Sequence, residues 1–257
     1  MPQSIAIAGG DTAKPLNLLK RLSILQKHCD GVDAPRFLDG GCGAGDYVKA
    51  CHSLGWQAKG IEFLPEKVER ARAKGLGPET VQQGDLEALP FDDGEFEILL
   101  LNEVLEHVPD DRSALVETHR VLAKGGRLFV FSPNRLYPFE SHGVFLKSNA
   151  PLKPETRKSL PVWTPFVPYL PLPIGERFLD YWARNYWPWQ LRKMIREAGF
   201  EIVELTYVWQ TFEGISGDQS GWLQKLRPTL RKVSQSAESI PGVRCFGVSQ
   251  FIYARKR

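Results

Sequence analysis

Residues 37–47 read Phe37-Leu38-Asp39-Gly40-Gly41-Cys42-Gly43-Ala44-Gly45-Asp46-Tyr47. A short apolar run meets an acid and then four glycines within six residues. A buried strand that ends in a glycine loop and feeds a helix is the ligand-binding end of a doubly wound sheet. Glycine suits such a loop because the backbone turns sharply and approaches a ligand with no Cβ in the way. A dinucleotide fold wants G-x-G-x-x-G, which, counted from Gly41, would put its third small residue at position 46. That position is Asp46, and the third glycine arrives one residue early, at Gly45.

The pattern Asp39-x-Gly41-x-Gly43-x-Gly45 resembles motif I of the class I methyltransferases, which bind S-adenosylmethionine (SAM). Two further acids fall in phase with it. Glu62 follows Gln57–Ile61, read as the second strand, where an acid about 20 residues beyond the glycine loop accepts ribose hydroxyls. Asp85 follows Thr80–Gly84, read as the third strand, in the context Gly84-Asp85-Leu86. A strand–turn–helix that holds no ligand would not require these two acids. The resemblance implies a SAM site made by Asp39, Gly41, Cys42, Gly43, Gly45, Glu62, Phe63, Asp85, Leu86 and Asn102. In it Asp39 and the loop backbone face the methionine end, and Asp85 receives the adenine amino group.

Working outward, Leu18, Leu19, Leu22 and Leu25 give Leu16–His28 helical spacing. In the family such a helix packs beside the cofactor cleft. Asp46–Leu54 reads as the first crossover helix, ended by Gly55. Pro65 opens the next helix and Gly75 closes it. Phe96–Leu101 is the central fourth strand. Pro109-Asp110-Asp111 caps a helix over Arg112–Leu122, which Gly125-Gly126 separates from a fifth strand, Arg127–Ser132. Gln190–Ala198 reads as a helix, and Phe200–Gln210 and Gly247–Arg255 as strands. The expected fold is α/β, a doubly wound, mostly parallel seven-stranded sheet with helices on both faces, and the last two strands resemble the family's sixth and seventh, which implies an antiparallel last strand. The chain is expected to form a single domain over 1–257.

Two stretches interrupt the alternation. Residues 133–188 are rich in proline and aromatics, and a structureless loop of that length is unexpected in a compact domain. They are read as a lid or acceptor insertion. Residues 211–243 form a second insertion, where Trp222, Leu223, Leu226, Leu230 and Val233 accompany Lys225, Arg227, Arg231 and Lys232 around Pro228. A helix packed on the lid is the plain reading of it, and contact with a membrane surface the sharper one.

Methyl transfer is an in-line displacement at carbon, so proximity and alignment come first, and a base is needed only where the nucleophile carries a proton. The segment Glu103-Val104-Leu105-Glu106-His107-Val108 resembles the signature of small-molecule methyltransferases. Its Glu103-x-x-Glu106-His107 set also resembles the divalent-metal ligands of ubiquinone-type O-methyltransferases and small-RNA 2′-O-methyltransferases, a minor reading beside one in which these side chains only pin the loop. His142 and His107 are the candidate catalytic histidines, and His28, His52 and His119 fall on expected helices. The position after the fourth strand reads Asn102-Glu103-Val104-Leu105 where amino-methylating DNA enzymes carry Asn/Asp-Pro-Pro-Tyr. The fifth strand ends in Ser132-Pro133-Asn134, without the Pro-Cys nucleophile of cytosine-C5 enzymes. No nucleic-acid partner is therefore expected, and the expected acceptor is a small or lipid-linked molecule methylated at oxygen. An N- or C-methyltransferase, or a SAM-binding regulator without turnover, are the rivals.

Composition agrees. Of 257 residues 42% are hydrophobic and 25% charged, enough for an ordinary core, and a net charge of +3 is too mild to argue for nucleic acid. Cys29, Cys42, Cys51 and Cys245 form no CxxC pair and read as free thiols of a reducing compartment. The start of the sequence lacks the pattern of a secretory signal, and Pro161–Ile174, with five prolines in 14 residues, is too short and too broken to span a bilayer. A cytoplasmic location, with peripheral membrane contact as a variant, is expected; the sequence leaves oligomeric state open.

Overall fold

A computed structural model of the chain describes residues 16–29, 32–139, 144–147, 164–181, 183–209 and 221–257. After helix α1 (Leu16–Cys29) the chain alternates β1 (Arg36–Gly40), α2 (Asp46–Ser53), β2 (Gln57–Glu62), α3 (Pro65–Ala73), β3 (Val81–Gln83), β4 (Phe96–Asn102), α4 (Asp111–Val121) and β5 (Leu122–Pro133). There follow β6 (Val144–Leu146), α5 (Leu172–Gly175), β7 (Leu179–Tyr181), α6 (Pro188–Glu197), β8 (Phe200–Val208), α7 (Gly221–Ser239) and β9 (Ser249–Lys256).

Seven strands form one sheet in the order β3-β2-β1-β4-β5-β9-β8. β1 is parallel to β2 and β4, and β4 to β5, while β9 runs antiparallel between β5 and β8. The expected topology, with its antiparallel last strand, is the observed one. Strand periodicity explains the two layers. On β4, Ile98 and Leu100 enter the core beneath α1, α2 and α3, whereas Leu99 and Leu101 enter the core shared with α4 and α6. Phe129 and Phe131 on β5 point the first way, Leu128 and Val130 the second. Strand order reverses between β1 and β4, which opens a crevice beyond their carboxyl ends.

Some boundaries differ from expectation. Gly125-Gly126 does not precede the fifth strand but lies within it. Phe96 pairs with Leu122 before the register shifts, and Gly125 takes φ 74°, a left-handed conformation that glycine adopts without a Cβ penalty. α6 starts at Pro188, whose missing N–H costs nothing in the first turn. α7 runs through Pro228, which lies inside the helix.

The first insertion has structure of its own. β6 and β7 form a separate two-stranded antiparallel ribbon, and Val144, Val167 and Leu179 make a small third core. Arg135 ties this unit to the main sheet by donating from Nε to the Pro168 carbonyl at 2.7 Å and from Nη2 to the Leu170 carbonyl at 2.8 Å. No helix among the described residues is long and apolar enough to cross a membrane. The side chains of residues 221–227, including Trp222, lie outside the described ones.

Candidate functional site

The glycine loop leaves β1 at the reversal point and is held by its neighbour. Gly41 and Cys42 both donate their amides to the Ile61 carbonyl of β2, at 2.8 and 2.9 Å. Gly41, Gly43 and Gly45 all have positive φ, at 73°, 55° and 75°. Their roles nonetheless differ. A Cβ on Gly41 would lie 2.2 Å from Val104 Cγ2, and one on Gly45 would lie 2.3 Å from Leu76 Cδ1, so these two are glycines for close packing. A Cβ on Gly43 would meet nothing within 4 Å. Gly43 is the member that faces open space, as a ligand cradle requires.

Two of the three expected acids frame this cradle directly. Glu62 closes β2, where its Oε2 accepts the Gly43 amide at 2.8 Å and its Oε1 accepts the Leu64 amide at 3.0 Å. Each carboxylate oxygen keeps a second lone pair for a ligand hydroxyl. Asp39, second to last on β1, is 1% exposed, and no hydrogen-bond donor among the described residues reaches its Oδ2. Burial, then the charges of Glu62 and Asp46, push its pKa up to about 8. A buried carboxyl oxygen without a donor is costly, and a cationic ligand group would relieve it. Asp85 follows β3, and its Oδ1 accepts the Glu87 amide at 2.9 Å, which fixes the turn it sits on.

Some expected side chains point elsewhere. The Cys42 thiol is buried against Gly60, so only the backbone of Cys42 faces the loop's open side, and burial pushes its pKa upward. The Leu86 side chain packs on Gly40 in the core, leaving its backbone beside Asp85. Phe63 is largely exposed just beyond Glu62. Asn102 gives its Oδ1 to the Arg21 guanidinium.

That guanidinium organises the end of β4. Arg21, buried on α1, also donates from Nη2 to Glu103 Oε1 at 2.7 Å and to Ser249 Oγ at 3.2 Å, and lies over the Phe131 ring. Glu103 takes φ 55°, a strained conformation for a residue with a side chain. The chain then crosses from the loop to a second space. Val104 packs on Gly41, while Glu106 lines a cavity of about 860 Å³. The cavity is walled by His107 and Val108 on one side and by Arg135, Tyr181, Tyr186 and Met194 among others. Within this short segment Val104 packs on the glycine loop, and Glu106 and His107 line the cavity.

The Glu103, Glu106 and His107 set is not assembled as a ligand cluster. Glu103 is engaged by Arg21, Glu106 is buried, and His107 is exposed. Among the described residues no group of three or more His, Cys, Asp and Glu is placed to hold a metal ion. His142 lies outside the described residues. Sequence reasoning did not single out Arg21, Ser249, Tyr186 or Arg135. The only signal for Arg21 was its place on a helix expected to flank the cleft.

Comparison with known proteins gives the same domain. Residues 38–130 match the methyltransferase domain family. A ubiquinone biosynthesis O-methyltransferase of Xanthomonas oryzae is 36% identical over 130 residues, 48% of this chain and 53% of that protein. Norajmaline N-methyltransferase of Rauvolfia serpentina is 32% identical over 161 residues, 60% of this chain and 53% of that one. The chain spans about half the length of the curated relatives it matches. Among solved structures, an S-adenosylmethionine-dependent methyltransferase from Mesorhizobium loti superposes with a TM-score of 0.57 at 16% identity, covering 91% of this chain and 96% of that one. Residues 38–130 thus match the methyltransferase domain family, and the fold is that of solved SAM-dependent methyltransferases.

Proposed function

From a methyltransferase fold whose glycine cradle and cavity border one short segment, we propose that this protein transfers a methyl group from SAM to a small-molecule acceptor held in the cavity. The residues fit the cofactor. Asp39 offers a donor-poor buried carboxyl to the cationic methionine end, Gly43 leaves the space for it, and Glu62 has lone pairs for the ribose. Bound there, SAM supplies a methyl group on a sulfonium. The chain's own part is to hold the acceptor in line with that methyl and to exclude water.

The observation that carries this reading is the course of residues 102–107. One side chain of the segment packs on the glycine loop and another lines the cavity, so a short loop separates the two ligands. An oxygen acceptor is the finer reading, supported by the O-methyltransferase relatives. For a hydroxyl acceptor we assign His107, on the cavity wall, as the group that takes the proton. The similarity to a Rauvolfia N-methyltransferase favours nitrogen as the second reading.

The test is calorimetric titration of the full chain with SAM, followed by screening of hydroxyl- and amine-bearing acceptors for S-adenosylhomocysteine formation. Micromolar binding that Asp39→Ala and Glu62→Ala lose, with turnover on one acceptor class, is the expected result. Tight binding without turnover on any acceptor would point to a regulator instead.

A further inference from the structure

Arg135 is a buried cation that no carboxylate among the described residues neutralises. It is 8% exposed, and its Nε and Nη2 donate to the Pro168 and Leu170 carbonyls at 2.7 and 2.8 Å. Those partners are neutral, as is the Trp187 ring, whose centroid lies 5.2 Å from the guanidinium carbon. The other two arginines on the cavity wall each have a carboxylate. Arg112 meets Glu197 at 2.8 Å, and Arg184 meets Asp111 at 3.2 Å. Arg135 Nη1 donates to no atom among the described residues and is not shut off from solvent. Burial holds the Arg135 pKa below the usual arginine value, with Tyr181 opposing.

The guanidinium lies among wall residues of the cavity. Pro168, which accepts from its Nε, and Tyr181, the neighbour that favours its charged form, both line that space. Lys147, Arg184 and Lys193 add exposed positive charge to the wall, while the Glu106 carboxyl oxygens are closed off from solvent. Glu176 and Asp180 are the acids left to offset them there. A buried cation held only by neutral groups is costly, and an oxyanion brought to it gains charge-assisted hydrogen bonds. We propose that Arg135 binds an anionic group of the acceptor, a carboxylate or a phosphate, through the free Nη1 end of its guanidinium. The proposal rests on the reading of this cavity as the acceptor chamber. It adds a chemical class: an acceptor that carries an oxyanion is held, and its neutral analogue is not. Tyr181 and Tyr186 on the wall suit a ring-bearing body.

The experiment titrates the full chain with benzoate, phenyl phosphate and benzamide by NMR, with and without saturating S-adenosylhomocysteine. At least one of the two anions is expected to bind the wild-type protein about tenfold or more tighter than benzamide, the range for a hydrogen bond to a charged group. The tighter of the two names the group as carboxylate or phosphate. Arg135→Gln should bind anion and amide alike. Arg135→Lys, which keeps the charge without the planar fork, should retain part of the preference. Lys193→Gln, an exposed wall position, should change it by about twofold or less. A preference that survives Arg135→Gln, or that falls as far in Lys193→Gln, means a diffuse basic surface and overturns the assignment. Equal affinity of wild type for all three probes, or binding of none, overturns it without needing a variant. If S-adenosylhomocysteine binds while the anion preference is absent, this assignment alone fails. If S-adenosylhomocysteine does not bind, the proposed function fails, and the probes alone still read the anion site.

Discussion

Arg21 and Glu103 meet at 2.7 Å, a residue of α1 closing on the strained residue that follows β4. Only 5% of the Arg21 side chain and 22% of the Glu103 side chain are exposed. Breaking a buried pair by removing one partner leaves the other charge uncompensated, at about 3–5 kcal/mol. Arg21→Met is therefore expected to lower the melting temperature by about 10 °C and to weaken SAM binding, because α1 loses its anchor beside the cleft. Thermal unfolding alongside calorimetry checks both, and a stable variant with intact binding would show that α1 is held by its apolar face alone.

The glycine loop separates packing from ligand space. Gly41→Ala should destabilise the ligand-free fold, since its Cβ would overlap Val104 and its φ is left-handed. Gly43→Ala carries only the left-handed strain, about 1–2 kcal/mol, and should fold. It should nonetheless lose at least about tenfold in SAM affinity, because its Cβ fills the cradle. Denaturant midpoints and titrations on the two variants distinguish these outcomes, and Gly43→Ala binding SAM normally would move the cofactor away from this loop.

Asp39 gives the site a pH signature. Its carboxyl ionises near its ordinary value in the unfolded chain but near pH 8 in the folded one. Between those values the native state keeps a proton that the unfolded state has released, so this residue lowers stability progressively as pH rises from about 4 to about 8. Asp39→Asn should raise the melting temperature of the ligand-free protein, and by more at pH 8 than at pH 5.

The same residue links cofactor binding to protons. A cationic ligand favours the ionised form of Asp39, so SAM binding at pH 7 should release protons and tighten as pH rises toward 8. Titrations in buffers of different ionisation enthalpy measure the release directly. It should vanish in Asp39→Asn; release that persists there must come from another group.

Tyr186 anchors the cavity wall. Its hydroxyl reaches Asp111 Oδ2 at 2.8 Å and the Leu105 carbonyl at 3.0 Å, one residue before Glu106. Tyr186→Phe should cost about 1 kcal/mol of stability and raise KM for the acceptor several-fold, with SAM affinity unchanged. A variant whose effect fell on SAM affinity instead would place Tyr186 on the cofactor side.

The loop 37–47 with the acids Asp39, Glu62 and Asp85 and the strand periods could be read from the amino-acid order, whereas the antiparallel final strand was implied only by the family resemblance. The loop, the acids and the periods depend on local chain geometry: a strand must stop, turn on glycine and start a helix, and side chains at strand ends fall at fixed offsets. Tertiary structure alone decided which glycine faces ligand space, that Cys42 and Leu86 turn their side chains inward, and that Gly125-Gly126 is a bulge within β5. It alone brought Arg21, Glu103 and Ser249 together across 228 positions of sequence. Contacts of that kind carry no periodicity or spacing, because they form only after separate elements have packed, and their chemistry depends on burial that no single segment sets.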